Sequence, residues 1–283
     1  MNYSGKIESL IDLLPNICEL KDKTIVIKYG GAAMKDEKLT KQVIQDLVFL
    51  ASCGLKLIIV HGGGPAINTW LKKMQIKPSF ENGVRVTDCE TMEIVEMVLA
   101  GQVNKYLVTL INSSQGKAVG LSGKDANILI AEPIDLSLQN MVGKITKVNS
   151  DLLNLLLDNN YIPILAPIAL DTSGNSYNIN ADTAAGEIAA SLSADYLLIL
   201  TDTGGILRDF HDSSSLIPTL NRDEVKNLIE QKVIMGGMLP KVDCCMNALQ
   251  SGVKSTCIID GRVPHSILLS LLTQEPIGST IRI

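Results

Sequence analysis

Lys28-Tyr29-Gly30-Gly31 closes an apolar run and sets an ammonium beside two glycines. Glycines let a backbone approach an anion closely, and successive amides make a concavity that binds one. A solvated lysine on a plain turn is the other reading of these four residues. A second apolar run, residues 55–60, ends in His61-Gly62-Gly63-Gly64-Pro65 and opens a helix, and helix N-termini attract anions. In Asn178-Ile179-Asn180-Ala181-Asp182, strand-like alternation puts Asn178 and Asn180 on one side. Asp182 then opens an Ala-rich helix, either as its cap or as a partner for cations. Gly236-Gly237-Met238-Leu239-Pro240-Lys241 is a flexible loop that delivers a second lysine at the start of a helix.

Two lysines, an aspartate and glycine loops are suited to phosphoryl transfer. The transferred group carries charge on three equatorial oxygens, and a carboxylate acceptor is itself an anion repelled by ATP, so cations must offset both. Lys28 and Lys241 fit opposite sides of the γ-phosphoryl, with Asp182 holding both ammonium groups. A carboxylate acceptor is already deprotonated and needs no general base. Neither GxxxxGK[ST] nor GxGxxG occurs in the chain, so a different glycine arrangement must hold the phosphate.

The elements that position these residues alternate. Runs at 24–29, 55–60, 161–165 and 196–201 are nearly all apolar, as strands covered on both faces require. Amphipathic helices such as 38–53 lie between them, which predicts a parallel or mixed sheet in an α/β sandwich. Residues 77–87 and 141–148 read as short strands or hairpins, with turns at Asn82-Gly83 and Gly143, placed to form a lid. Residues 208–218 read as a looser segment, and a lobe boundary is expected near 170–180. Ile7, Leu10, Ile11 and Leu14 recur at helical spacing, with Ser4 placed to cap and Pro15 to kink or restart the helix. That stripe packs on its own domain or on a neighbouring subunit; both readings stay open.

Composition removes other classes. The 283 residues are 46% hydrophobic with a formal net charge of -5, and no Lys/Arg run has the density of a nucleic-acid surface. Six cysteines form no CxxC pair and three histidines show no metal-ligand spacing, which predicts a reducing compartment and no structural zinc. No apolar stretch is expected to exceed strand length, and no signal core is read at the N-terminus. A cytoplasmic or plastid-stromal protein, without a membrane partner, is the expectation.

Six motifs follow one another: VIKYGGAAM (26–34), VHGGGP (60–65), NGVRVTD (82–88), YNINADTAAGEIA (177–189), LTDTGGIL (200–207) and GGMLPKV (236–242). In type and order they resemble the amino-acid kinase family, and within it the members that act on N-acetylglutamate, over nearly the whole chain from Lys28 onward. The resemblance implies a three-layer α/β/α sandwich with a largely parallel central sheet, the amino-acid kinase fold. Residues 1–20 would be an oligomerisation helix and 21–283 one domain, with 21–175 holding N-acetyl-L-glutamate and 176–283 holding ATP. Chemistry would occur where the lobes meet.

By motif, Lys28 and Lys241 resemble the family's transition-state stabilisers and Asp182 their organiser. Gly30, Gly31, Gly62 and Gly63 resemble the phosphate-binding glycines, with Gly62 also bordering the substrate. Gly63, Gly64, Arg85, Asn178 and Asn180 resemble the acceptor site, Arg85 as a bidentate clamp on the α-carboxylate. Thr201, Asp202, Gly204 and Gly205 resemble the nucleotide turn. Mg²⁺ would arrive with ATP, held mainly by phosphate oxygens and water, with no protein metal site and no tightly bound cofactor.

The N-terminal helix resembles that of ring-shaped hexamers, trimers of dimers inhibited by arginine. His265, Glu275 and Gly278 resemble the arginine-site signature, and some photosynthetic relatives take a PII signalling protein as partner. The activity implied is phosphorylation of the γ-carboxylate to N-acetyl-L-glutamyl 5-phosphate in acetylated arginine biosynthesis. The competing readings are another carboxylate or carbamate kinase of the family, and a non-catalytic arginine or nucleotide sensor.

Overall fold

The computed structural model describes residues 3–34, 36–81, 84–134, 140–273 and 275–282. Eight strands form the main sheet: β1 (Thr24–Tyr29), β2 (Lys56–His61), β3 (Ala118–Ser122), β4 (Ile162–Ala166), β5 (Tyr196–Thr201), β6 (Thr219–Leu220), β7 (Ser255–Asp260) and β8 (Gly278–Ile281). They lie in the order β6-β8-β7-β5-β1-β2-β4-β3, and all neighbours are parallel except β7 and β8. Parallel neighbours need crossover connections, and helices in those crossovers cover both faces.

Side-chain alternation along β1 decides what each face receives. Ile25, Ile27 and Tyr29 enter one core with Val43, Ile44 and Leu47 of the helix Glu37–Ser52. Val26 enters the other, with Ala184 and Ile188 of the helix Ala181–Ser191 and Val242 and Ala248 of the helix Leu239–Gln250. Each such Leu, Ile or Val contributes about 1.5–3 kcal/mol by burial. Lys28 has the parity of Val26, so it leaves the sheet toward the two helices that carry Asp182 and Lys241. Because β5, β1 and β2 are parallel neighbours, the loops after them open at one carboxyl edge, where open α/β sheets bind ligands.

A smaller sheet runs Ser176–Asn178, Ile168–Leu170, Leu129–Pro133, Gly143–Val148, and a hairpin pairs Phe80–Glu81 with Val84–Arg85. The turn expected at Asn82-Gly83 lies outside the described residues. Gly143 opens a strand and makes no turn. A Cβ there would sit 2.7 Å from Tyr177 Cβ, so close packing is what requires its glycine.

Three further expectations change. Ser4 and Pro15 neither cap nor interrupt the first helix, which runs unbroken over Tyr3–Leu20. Residues 208–218 are compact: Leu207 bridges to Leu216, and the Ser215 hydroxyl lies 2.9 and 2.6 Å from the Asp209 and Asp212 carbonyl oxygens. Apolar runs are not limited to strand length, since Cys89–Ser113 forms a helix of 25 residues with an 18-residue stretch of mean hydropathy 1.3. That helix is long and apolar enough to cross a membrane, yet Val95, Leu99, Leu107 and Ile111 pack it into the core. Its middle, Met97–Val103, is π-helical.

The first helix settles on the domain through Leu13, Ile17 and Leu20, and the Asn16 amide donates to the Leu272 carbonyl at 2.8 Å. The stripe itself does not pack at home: Ile7, Leu10, Ile11 and Leu14 are each more than half exposed.

Candidate active site

Asp182 sits between the two lysines. Lys28 Nζ lies 2.9 Å from Oδ1 and Lys241 Nζ 2.8 Å from Oδ2. Both Lys28 and Asp182 are buried. Burial alone would raise the Asp182 carboxyl, but the two ammonium groups outweigh it and hold the carboxyl below its usual value. Two cations and one anion leave a partly buried net positive charge, which an arriving phosphoryl group would offset.

Local structure fixes this arrangement. Asn180 caps the helix Ala181–Ser191, its Oδ1 accepting from the Asp182 and Thr183 amides at 2.8 and 3.2 Å. This resolves the two readings of Asp182, since the cap is Asn180 and the Asp182 carboxylate is free for the lysines. Pro240 occupies the first turn of the helix Leu239–Gln250, with its fixed φ suited to that position, and Lys241 follows it. Gly186 lets the two helices close, since a Cβ there would come within 2.6 Å of Cys244 Sγ. Cys244 Sγ in turn donates to the Asp182 carbonyl at 2.9 Å. An open cavity of about 690 Å³ lies against Asp182, Lys241, Asn180, Gly236 and Gly237.

The glycine loops stack at the same edge. A Cβ on Gly30 would approach Gly62 N to 3.3 Å, and Gly31 adopts a left-handed φ of +74° with open space beside it. The Gly62 amide donates to the Tyr29 carbonyl at 2.8 Å. That bond holds the loop and leaves the Gly62 amide engaged in the free protein. Gly63 caps the helix Gly64–Lys73, and among the described residues no protein acceptor takes its amide. A Cβ on Gly63 would strike Leu99 Cδ2 at 2.4 Å.

Arg85 lies buried beyond these loops. Its Nη2 donates to Asn68 Oδ1 at 2.6 Å and to the Gly64 carbonyl at 3.4 Å, while Nη1 is buried without a partner. Burial lowers the guanidinium from its ordinary value, and the Phe80 ring covers it at 4.7 Å. Asn178 is drawn in by Thr87, whose hydroxyl accepts from Asn178 Nδ2 at 3.1 Å and donates to the Arg85 carbonyl at 2.9 Å. Asn68 and Thr87 were not foreseen. Asn68 lies one turn beyond Gly64 on the helix that the glycine loop opens, and Thr87 stands two residues after Arg85.

The turn after β5 makes the third part. Gly205 takes φ +120°, and a Cβ there would lie 2.8 Å from Ser279 Oγ; that hydroxyl accepts from the Ile206 amide at 2.8 Å and donates to the Ile217 carbonyl at 2.7 Å. Thr201, Asp202 and Gly205 line a cavity of about 360 Å³ whose apolar wall includes Phe210, Ile234 and Met238, with Lys241 at its edge. A Cβ at Gly204 would meet open space. Phe210 was overlooked because its segment read as loose.

Three residues remain: His265, Glu275 and Gly278. His265 Nδ1 lies 2.6 Å from Asp46 Oδ1. Glu275 is exposed. Gly278 starts β8, where a Cβ would strike the Ile258 carbonyl at 2.1 Å. No hydrogen bond or ion pair among the described residues joins these three.

The sequence model of the amino acid kinase family matches residues 23–260. An acetylglutamate kinase from Gracilaria tenuistipitata var. liui is 51% identical over 282 residues, covering 99% of both chains. One from Pyropia yezoensis is 53% identical with the same coverage. One from Nostoc punctiforme is 51% identical, covering 98% of this chain and 93% of that one. Among solved structures, N-acetylglutamate synthase from Neisseria gonorrhoeae, complexed with coenzyme A and N-acetyl-glutamate, superposes with a TM-score of 0.86 at 25% identity. The superposition covers 98% of this chain and 63% of the other. Carbamate kinase from Giardia lamblia shares the fold at a TM-score of 0.70 and 18% identity, over 92% of this chain and 98% of the other.

Proposed function

The chain belongs to the amino acid kinase family, and from that premise we infer that it transfers the γ-phosphoryl of ATP to the γ-carboxylate of N-acetyl-L-glutamate. The product is N-acetyl-L-glutamyl 5-phosphate, an intermediate of arginine biosynthesis. The observation that carries the mechanism is the Lys28–Asp182–Lys241 cluster, whose distances are 2.9 and 2.8 Å. A carboxylate oxygen attacks the γ-phosphorus, the bond to the β,γ-bridging oxygen breaks, and ADP leaves. The two ammonium groups meet charge on the equatorial and leaving oxygens, and the Gly30, Gly31 and Gly63 amides supply further donors. Asp182 remains ionised and orients both cations.

The acceptor is read from Arg85, whose orphaned Nη1 fits an α-carboxylate, with Asn178 beside it. The adenosine is read from the cavity under Thr201, Asp202 and Gly205, where Phe210 and Met238 give the base an apolar wall. The segment 21–175 would then hold the acceptor and 176–283 the nucleotide. Both Asp182 oxygens face lysines. That donor set fits Mg²⁺ carried on the ATP phosphates, where it supplies charge neutralisation.

Two regulatory features complete the reading. The exposed Ile7, Leu10, Ile11 and Leu14 stripe is covered by the same helix of a second copy, linking dimers into a hexamer, and arginine is an inhibitor acting near His265, Glu275 and Gly278. Removing residues 1–20 is expected to reduce the mass measured by light scattering from hexamer to dimer; an unchanged mass would show that the stripe links nothing. For activity, a coupled assay of ADP release is expected to require N-acetylglutamate and to be slowed by arginine. Release that ignores N-acetylglutamate would remove the acceptor assignment.

A further inference from the structure

His61, which closes β2, is fully buried directly behind the glycine loop. Its Nδ1 lies 2.9 Å from the Gly62 carbonyl oxygen and its Nε2 lies 3.2 Å from Asn104 Nδ2. The partners dictate the ring's protonation. Asn104 Nδ2 also faces the Leu121 and Ile164 carbonyls at 3.1 and 2.8 Å, and carbonyl oxygens only accept, so that nitrogen is the amide NH₂. An NH₂ has two hydrogens for these three neighbours, so one is shared; a hydrogen on Nε2 would point at that NH₂, which cannot accept it, so Nε2 must be bare. Facing a carbonyl oxygen, Nδ1 must carry the hydrogen.

Asn104 is itself locked. Its Oδ1 accepts from Lys105 Nζ at 3.2 Å, and Lys105 also donates to the Gly120 carbonyl at 3.0 Å. Gly120 must be glycine, because a Cβ there would fall 2.0 Å from Asn104 Oδ1. Asn104 is the first residue after the π-helical stretch Met97–Val103, whose Leu99 also fills the space against Gly63. Single-turn π segments recur at functional sites because they re-aim the residues around them; this one puts Asn104 under His61 and Leu99 under the loop. Burial lowers the His61 pKa to about 4, and the nearby Lys105 charge adds to that, while the Gly62 contact opposes it.

We propose that His61 is a positioning residue: as the neutral Nδ1–H tautomer set by Asn104, it fixes the Gly62 carbonyl and so aims the Gly63 amide at the transferring phosphoryl group. The Gly62 carbonyl and the Gly63 N–H belong to one planar trans peptide and point in opposite directions. A hydrogen bond that pulls the carbonyl toward the core therefore drives the N–H away from it. Without His61 the plane is free to rotate, and the donor is lost from the transition state more than from the bound substrates.

The proposal rests on the phosphoryl-transfer reading, and the test separates the two. An asparagine amide nitrogen can stand near the place of Nδ1, whereas that of glutamine stands near Nε2. His61→Leu and His61→Gln are expected to lower kcat roughly 10- to 100-fold, as for a displaced oxyanion donor, with KM for ATP and N-acetylglutamate within about twofold. His61→Asn is expected to stay within about fivefold of the parent. Nitrogen-15 NMR of histidine-labelled parent protein, assigned with His61→Leu, should show the Nδ1–H tautomer at neutral pH. An unchanged kcat in His61→Leu, losses in all three variants that track melting temperature, or an Nε2–H tautomer would each overturn the proposal. A parent without kinase activity would sink the functional reading, and the tautomer would still decide the geometry argued here.

Discussion

Lys241→Ala is expected to lower kcat by about a thousandfold or more, with KM for ATP rising only severalfold, and Lys28→Ala to do the same. In the proposed mechanism the ammonium groups act on charge that spreads over the phosphoryl oxygens at the transition state, so their loss would fall on kcat. Each lysine also neutralises the buried Asp182, and breaking a buried ion pair costs about 3–5 kcal/mol. The surviving lysine still contacts the carboxylate at 2.8 or 2.9 Å, which keeps the loss of fold stability toward the lower figure. Stopped-flow or coupled assays, beside thermal melts and nucleotide-binding titrations, read the two effects separately. Turnover unchanged in both variants would remove the mechanism. Because the two ammonium groups hold the Asp182 carboxyl below its usual value, Asp182 adds no titration to the pH profile near neutrality.

Arg85→Ala is expected to raise KM for N-acetylglutamate about 100-fold while KM for ATP stays within about twofold. A pair of charge-assisted hydrogen bonds contributes about 3 kcal/mol, which is about two decades of affinity. The buried Nη1 has no partner in the free protein, and the acceptor's carboxylate is proposed to satisfy it. Arg85→Lys should recover little, because Nη2 is committed to Asn68 and Gly64 and a single ammonium cannot hold those contacts and a planar carboxylate together. Equal losses for both substrates would place Arg85 outside the acceptor site.

Much of the fold was legible in the sequence because its physics is local. Near-continuous apolar runs could only be strands covered on both faces, and the parity of Lys28 with Val26 followed from the pleat. The glycine loops were legible as loops, since three consecutive glycines before a proline admit little else. Which amides remain free was not legible, because Gly62 is spent on Tyr29, a pairing that depends on β1 lying beside β2. The role of Asp182 stayed open between helix cap and cation partner, since both Asn180 and Asp182 have side chains suited to capping and only the structure shows Asn180 in that place. Phe210 escaped notice for a similar reason: the Asp209 to Ser215 stretch is polar and turn-rich in sequence, and the hydrogen bonds that make it compact, those of Ser215 among them, appear only in the structure. The π-helical segment has no reliable local cue, and without it neither Leu99 nor Asn104 could be placed.

The central claim is that a carboxylate of N-acetylglutamate becomes an acyl phosphate, and trapping that product tests it most directly. With MgATP, N-acetyl-L-glutamate and hydroxylamine, the protein should yield one hydroxamate for each ADP formed, and omission of the acceptor should abolish both. ADP formed without hydroxamate, or hydroxamate yields indifferent to N-acetylglutamate, would contradict the account.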